Sequence, residues 1–349
     1  MAGSLAKGLL VGLALLTPAG ARAARAVGPD MEPAEQVAWT SADGWRGHVR
    51  HFPGEGPPVL LVHGMGANHY NWDYRSEVSL AAWLSERGWD VWVPDLRGDP
   101  GTAPPDRRAW RNFSFDDHAR YDLPAILDAV QAATGEAQVS WVGHSMGGML
   151  LYAALSQYPE RIRAGVAIAS PARFQAQQPL KRLYRGLGRL APARGRTRAR
   201  SVMIALSPLG RWAPGMGRVS NPRNMDGATA RGLSRHAIVD LRRQTAREVV
   251  TWLRTGALTT ADGQGSWVTP PAQPVPTLVL AGAGDWLVPA SDAVWFCEGR
   301  PACEAEVVGE SSDQHEPYGH IDLVLGQNAA VDVYPLVGDF LAAHVGSPL

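Results

Sequence analysis

Short apolar runs and longer stretches of helical spacing alternate along most of this chain. Runs at residues 37–40, 45–52, 59–62, 89–94, 139–142, 165–169, 277–281 and 303–308 have the length and apolar character of strands. The first two meet at Asp43-Gly44, a hairpin turn signal. Over 79–87, 119–133 and 146–158 apolar residues recur at helical intervals instead. Strand and crossover helix in alternation predict an α/β fold with a mostly parallel eight-stranded sheet. Unbroken Val, Leu and Ile in the middle strands predict helices on both of its faces.

The rhythm lapses from 172 to 269, where no strand pattern is visible, and helical spacing returns over 225–256. A structureless gap of this length is rare in a compact domain. It is therefore read as an inserted helical cap on a core formed by 27–171 and 270–349, the second part following the Pro-rich residues 270–276. Residues 1–26 read differently again. Lys7, the apolar run 8–16, the break at Thr17-Pro18 and small-x-small sites at Ala21-Arg22-Ala23 and Ala24-Arg25-Ala26 have the anatomy of an export signal, which predicts a periplasmic or extracellular protein. An uncleaved membrane anchor is the alternative, although the run is shorter than the roughly 20 residues that span a bilayer.

Composition narrows the function classes. With 349 residues, 45% hydrophobic and 19% charged, the chain is neither disordered nor a coiled coil, and 33 basic against 33 acidic residues exclude a globally basic nucleic-acid binder. The balance conceals a local imbalance. Residues 161–225 hold 14 Arg or Lys and no Asp or Glu, and Leu180, Leu183, Leu187 and Leu190 fall at helical spacing among Lys181, Arg182, Arg185 and Arg189. Such a basic amphipathic segment suits an anionic lipid surface or an acidic substrate. A merely solvated cap face fits as well, and Gly186 and Gly188 weaken any helix there. Cys297 and Cys303 are close enough for a small disulfide loop in an oxidising compartment, though their spacing does not require one. Nothing near them has metal-ligand spacing.

The densest chemical signal is Gly143-His144-Ser145-Met146-Gly147-Gly148, a G-x-S-x-G between an expected strand and an expected helix. Small residues let that turn close so that a serine hydroxyl projects alone, which makes Ser145 the candidate nucleophile. A serine needs a base to take its proton and a carboxylate to orient the base. In this architecture the order is Ser, acid, His, each after a strand. Asp285, after the strand at 277–281, and His320, after the strand at 303–308, satisfy that order. Asp292 reads as part of the next helix, Asp322 lies beyond the histidine, and His315 reads as a solvated loop residue. His315 and His320 are five apart with Pro317 and Gly319 between them, which does not match a helical zinc motif. An oxyanion hole completes the requirement. The backbone N–H groups of Met146, after the serine, and Met65, in His63-Gly64-Met65-Gly66 after the third strand, are the candidates; His63 would brace that loop and His144 would pack beneath the elbow.

Together these residues resemble an α/β-hydrolase, and within that superfamily the chain is similar to the acid lipase group. The resembling stretches are HGMGANHYNWD (63–73), GWDVWVPDLRG (88–98), FSFDDHARYDLPAILDAV (113–130), the elbow, GAGDWLVP (282–289) and YGHIDLVLG (318–326). The resemblance implies the same nucleophile, acid and base: Ser145, Asp285 and His320. The family commonly has Gln after the serine where this chain has Met146, an exchange that leaves the backbone donor in place. The cap resembles the family only after Asn221, so acyl-chain preference does not carry over. The expected activity is hydrolysis of carboxylic esters of small-molecule or lipid type, with no cofactor, metal, nucleic acid or obligate protein partner. Acyl transfer or a polyester synthase or depolymerase activity is the alternative, and a non-catalytic binding protein on the same scaffold is a third reading.

Overall fold

The computed structural model describes residues 28–175, 198–212, 215–270, 273–310, 314–315 and 317–348. The expected strands form one sheet: β1 (Glu35–Thr40), β2 (Arg46–Phe52), β3 (Pro58–Val62), β4 (Asp90–Pro94), β5 (Val139–His144), β6 (Ile162–Ile168), β7 (Thr277–Gly282) and β8 (Cys303–Val308). Their order across it is β1-β2-β4-β3-β5-β6-β7-β8. β1 and β2 are antiparallel, β2 runs antiparallel to β4, and every other pairing is parallel.

Successive strand residues face opposite sides, and β3 shows what this demands of a central strand. Val59 and Leu61 join one buried cluster while Leu60 and Val62 join the other. Each such side chain contributes about 1.5–3 kcal/mol when fully buried. The edge strand β8 buries only Val308, so its alternating Glu304 and Glu306 are tolerated. One face is covered by α1 (Leu80–Ser85) and the C-terminal α8 (Tyr334–Val345), and the other by α2 (Leu123–Thr134) and α3 (Met146–Gln157). Gly135 at φ 74° ends α2. A π-helical turn over His118–Asp122 precedes α2 and was not expected from the spacing.

Between β6 and β7 the described residues form helices α4 (Ala199–Leu206), α5 (Gly227–His236) and α6 (Arg243–Thr255) and contribute no strand to the sheet. Asp226 caps α5 by accepting the Thr229 N–H at 2.7 Å. The helical spacing over 225–256 is thus two helices rather than one. The start of this excursion meets the end of α6, because Phe174 donates its N–H to Gly256 O at 3.0 Å. Its side chains enter both core clusters: Trp252, Leu253 and Trp267 one, Met225, Ala230 and Leu233 the other. Helix α7 (Ala290–Val294) follows β7 and contains Asp292, as its sequence suggested. Cys297 and Cys303 are joined as a disulfide. The export signal at 1–26 and the leucine–arginine pattern at 180–190 lie outside the described residues. No described helix is long and apolar enough to cross a membrane.

Candidate functional site

Ser145 stands between β5 and α3 with φ 53°, a left-handed backbone that non-glycine residues seldom adopt. Its neighbours show how the chain permits this. A Cβ on Gly147 would lie 2.0 Å from Val62 O, and one on Gly143 would lie 2.2 Å from Gly147 O. Only glycine allows strand, turn and helix to approach so closely. The Ser145 N–H is tied to Ile168 O at 2.8 Å, which fixes the turn to β6.

Asp285 follows β7 and its side chain is fully buried. Oδ1 accepts the N–H groups of Leu287 and Val288, both at 2.8 Å, and Oδ2 accepts Nδ1–H of His320 at 2.8 Å. The two loops are also joined through the backbone, since Gly284 N–H donates to Tyr318 O at 2.8 Å. Asp285 and His320 are therefore brought together as the sequence order required. Ser145, half-buried, lines the same cavity as His320, although no hydrogen bond joins its hydroxyl to that ring here. Such hydroxyl–imidazole contacts commonly tighten only with substrate in place.

His144 connects the elbow to the histidine loop. It lies between two acceptors, with Nε2 3.1 Å from the carbonyl of His320 and Nδ1 2.9 Å from Asn71 Oδ1, and a neutral ring donates to one of them. Burial and then the neighbouring His320 push its pKa well below the usual imidazole value, so the ring is neutral. Asn71 also accepts the Gly64 N–H at 3.3 Å, linking this pair to the loop after β3. On that loop His63 Nε2 lies 2.8 Å from Asp99 Oδ2 and its Nδ1 3.0 Å from Gly64 O. Burial alone would depress its pKa, but Asp99 outweighs burial and the net shift is upward. His63 braces the loop as expected. Met65 lies on it and lines the cavity, as does Met146, whose N–H at the head of α3 has no acceptor within the helix.

The cavity measures about 470 Å³ and is mostly apolar. Six of the chain's eight methionines line it: Met65, Met146, Met149, Met203, Met216 and Met225. Unbranched thioethers adapt to ligands of varied shape. Among the described residues no group of three or more His, Cys, Asp or Glu could hold a metal ion.

The rival residues have other occupations. Asp292 accepts Arg173 Nε–H at 3.3 Å, and His315, half-exposed, pairs with Asp332 at 2.9 Å. Asp322 is fully buried and accepts from Asn221, Asn224 and Gly319. Sequence reasoning overlooked Asn71 and Asn224. Asn71 sits inside the HGMGANHYNWD stretch, whereas Asn224 carries no local pattern that marks it.

Residues 57–319 match a family model described as the alpha/beta hydrolase fold. The chain is 34% identical over 158 residues to gastric triacylglycerol lipase of Homo sapiens, covering 40% of each protein. It is 37% identical over 125 residues to lysosomal acid lipase/cholesteryl ester hydrolase of Macaca fascicularis, covering 33% of this chain and 31% of that protein. The matches thus span well under half the length of these relatives. A hydrolase from Pseudomonas aeruginosa PA01 superposes with a TM-score of 0.60 at 18% identity, over 88% of this chain and 98% of that one. An esterase from Thermogutta terrifontis does so at 0.53 and 19%, over 89% and 100%. At these identities the two structures share its fold.

Proposed function

The chain belongs to the alpha/beta hydrolase fold family, and from that premise we propose that it is a serine carboxylic-ester hydrolase of lipase or esterase type. The observation that carries the reading is the convergence of Ser145, His320 and the Met65 and Met146 loops on one apolar cavity, with Asp285 bonded behind His320. The stretches similar to gastric and lysosomal acid lipases support an ester substrate.

In this reading His320 Nε2 takes the proton of Ser145 Oγ as the oxygen attacks the ester carbonyl. Charge then develops on the former carbonyl oxygen, where the Met65 and Met146 N–H groups stabilise it. Collapse breaks the bond to the alkoxy oxygen, and His320 returns its proton to the departing alcohol. The acyl group remains on Ser145 until water, deprotonated by His320, attacks it in the same way. Asp285 holds the imidazole with Nδ1–H toward itself and stabilises the imidazolium that forms. No step calls on a cofactor.

Residues 172–269 act as the cap over this cavity, and 1–26 direct export. The cap offers a lipid surface a basic, partly apolar face. Val202, Leu209 and Trp212 are 52%, 49% and 71% exposed, and Arg198, Arg200 and Arg211 accompany them. Sedimentation with vesicles tests this face, since equal binding to anionic and neutral lipid would remove the electrostatic part of it.

Hydrolysis of p-nitrophenyl esters of graded chain length tests the activity. The wild type turns them over and labels with a fluorophosphonate; Ser145→Ala loses the label and at least about 10³-fold in kcat. Undiminished turnover in Ser145→Ala refutes the assignment. Product analysis with added alcohol separates hydrolysis from acyl transfer.

A further inference from the structure

The stretch that carries His320 is gripped by the insertion as well as by the sheet. Asp322, two residues past the histidine, has no exposure. Its Oδ1 accepts the N–H groups of Asn221 at 2.9 Å and Gly319 at 3.1 Å, and its Oδ2 accepts Asn224 Nδ2–H at 3.1 Å. Four further bonds follow. Ile321 N–H donates to Val219 O and Gln327 N–H to Asn224 O, both at 2.8 Å. Asn328 N–H donates to Asn224 Oδ1 at 3.2 Å, and Asn221 Nδ2–H donates to Pro317 O at 2.9 Å. Contact is close enough that a Cβ on Gly319 would lie 2.9 Å from Ser220 Cα. Both flanks of His320 are therefore tied to residues 219–224.

A carboxylate removed from water costs free energy that neutral amide donors only partly offset. Burial accordingly raises the Asp322 pKa in spite of those donors. Apolar packing would serve stability alone at least as well. What the carboxylate supplies is direction, because it accepts simultaneously from the turn before His320 and from two residues of the insertion.

We propose that Asp322, together with Asn221 and Asn224, forms a positioning cluster through which the insertion holds His320 in register with Asp285 and Ser145. The inference rests on the assignment of His320 as general base. Any opening of the cap then leaves residues 219–224 in place and is carried by other parts of it.

The test compares Asn224→Ala, Asn221→Ala, Asp322→Asn and Asp322→Ala with Ser145→Ala, using p-nitrophenyl butyrate and near-ultraviolet circular dichroism. Asn224→Ala lowers kcat about 10- to 100-fold, the scale of a misplaced catalytic group. Its KM stays within about twofold, as expected when transition-state stabilisation alone is lost. Asp322→Asn, which keeps an acceptor for Gly319 and Asn221, recovers most of the kcat lost in Asp322→Ala. Asn221→Ala removes the bond to Pro317 O but keeps the backbone N–H that Asp322 accepts, so it shows a smaller fall of the same kind. Wild-type kcat in folded Asn221→Ala and Asn224→Ala overturns the cluster, as does a rise in KM at constant kcat. If Ser145→Ala itself retains turnover, the ester-hydrolase assignment fails first; if it is inactive while the asparagine variants match wild type, the positioning cluster alone fails.

Discussion

His320 and Asp285 come from loops after different strands, yet Nδ1 and Oδ2 stand 2.8 Å apart with the carboxylate side chain fully buried. The other oxygen, Oδ1, is already committed to two backbone N–H groups, so the carboxylate cannot turn away. Asp285→Asn retains the shape but presents an amide where an acceptor is required, favouring the wrong imidazole tautomer. A fall in kcat of about 10⁴-fold with an intact fold is expected. Steady-state kinetics on p-nitrophenyl butyrate checks it, and a loss below tenfold would show that the pair does not orient the base.

Two glycines distinguish steric from conformational need. Gly147→Ala drives a methyl group to 2.0 Å from the backbone oxygen of Val62 and costs about 3 kcal/mol. Gly135 has φ +74° but nothing within 4 Å of a Cβ, so Gly135→Ala costs about 1 kcal/mol from backbone strain alone. Urea midpoints of the two variants give the comparison, and equal destabilisation would contradict it.

Val249 projects from α6 into the cavity. Val249→Trp fills part of the roughly 470 Å³ available. Turnover of long-chain p-nitrophenyl esters should fall about tenfold or more relative to the acetate. An unchanged chain-length profile would mean that acyl groups do not occupy this part of the cavity.

Glu248, also on α6, accepts the Phe115 N–H at 2.8 Å. Burial lifts its pKa to about 8; the Phe115 N–H opposes this, and the charges of Asp116 and Asp117 add to it. The folded pKa lies above the ordinary value of 4.5, so the protonated group's contribution to stability is complete below that value and is lost as pH rises toward about 8. Glu248→Gln keeps an acceptor for Phe115 and does not ionise. Its melting temperature should match wild type near pH 5 and exceed it by about 3 °C at pH 9. A constant difference across that range would refute the linkage.

The central strands and the elbow were legible because their signals are local. A buried parallel strand needs an unbroken apolar run, and a serine at φ 53° needs small flanking residues. The pairing of Asp285 with His320 followed from chain order, since the strands that precede them were readable. The residues that hold those side chains were harder to see. Asn224 meets Asp322 across 98 positions, and Asn71 meets His144 across 73. Contacts at such separations follow from packing, which no short window encodes. The break in helical spacing between α5 and α6 was missed because apolar positions continue through a non-helical link at 237–242.

β6 and β7 lie side by side although residues 169–276 separate them along the chain. Loop-closure entropy grows only logarithmically with length, so this detour costs the native state little. It matters more for the order of events during synthesis. When β6 has left the ribosome, the apolar edge formed by Val166, Ala167 and Ile168 must wait for its neighbour until the insertion has also emerged. An unpaired apolar edge invites association with other chains. Nascent-chain aggregation should therefore be governed by how quickly the insertion is translated and compacted, more than by the stability of the finished sheet.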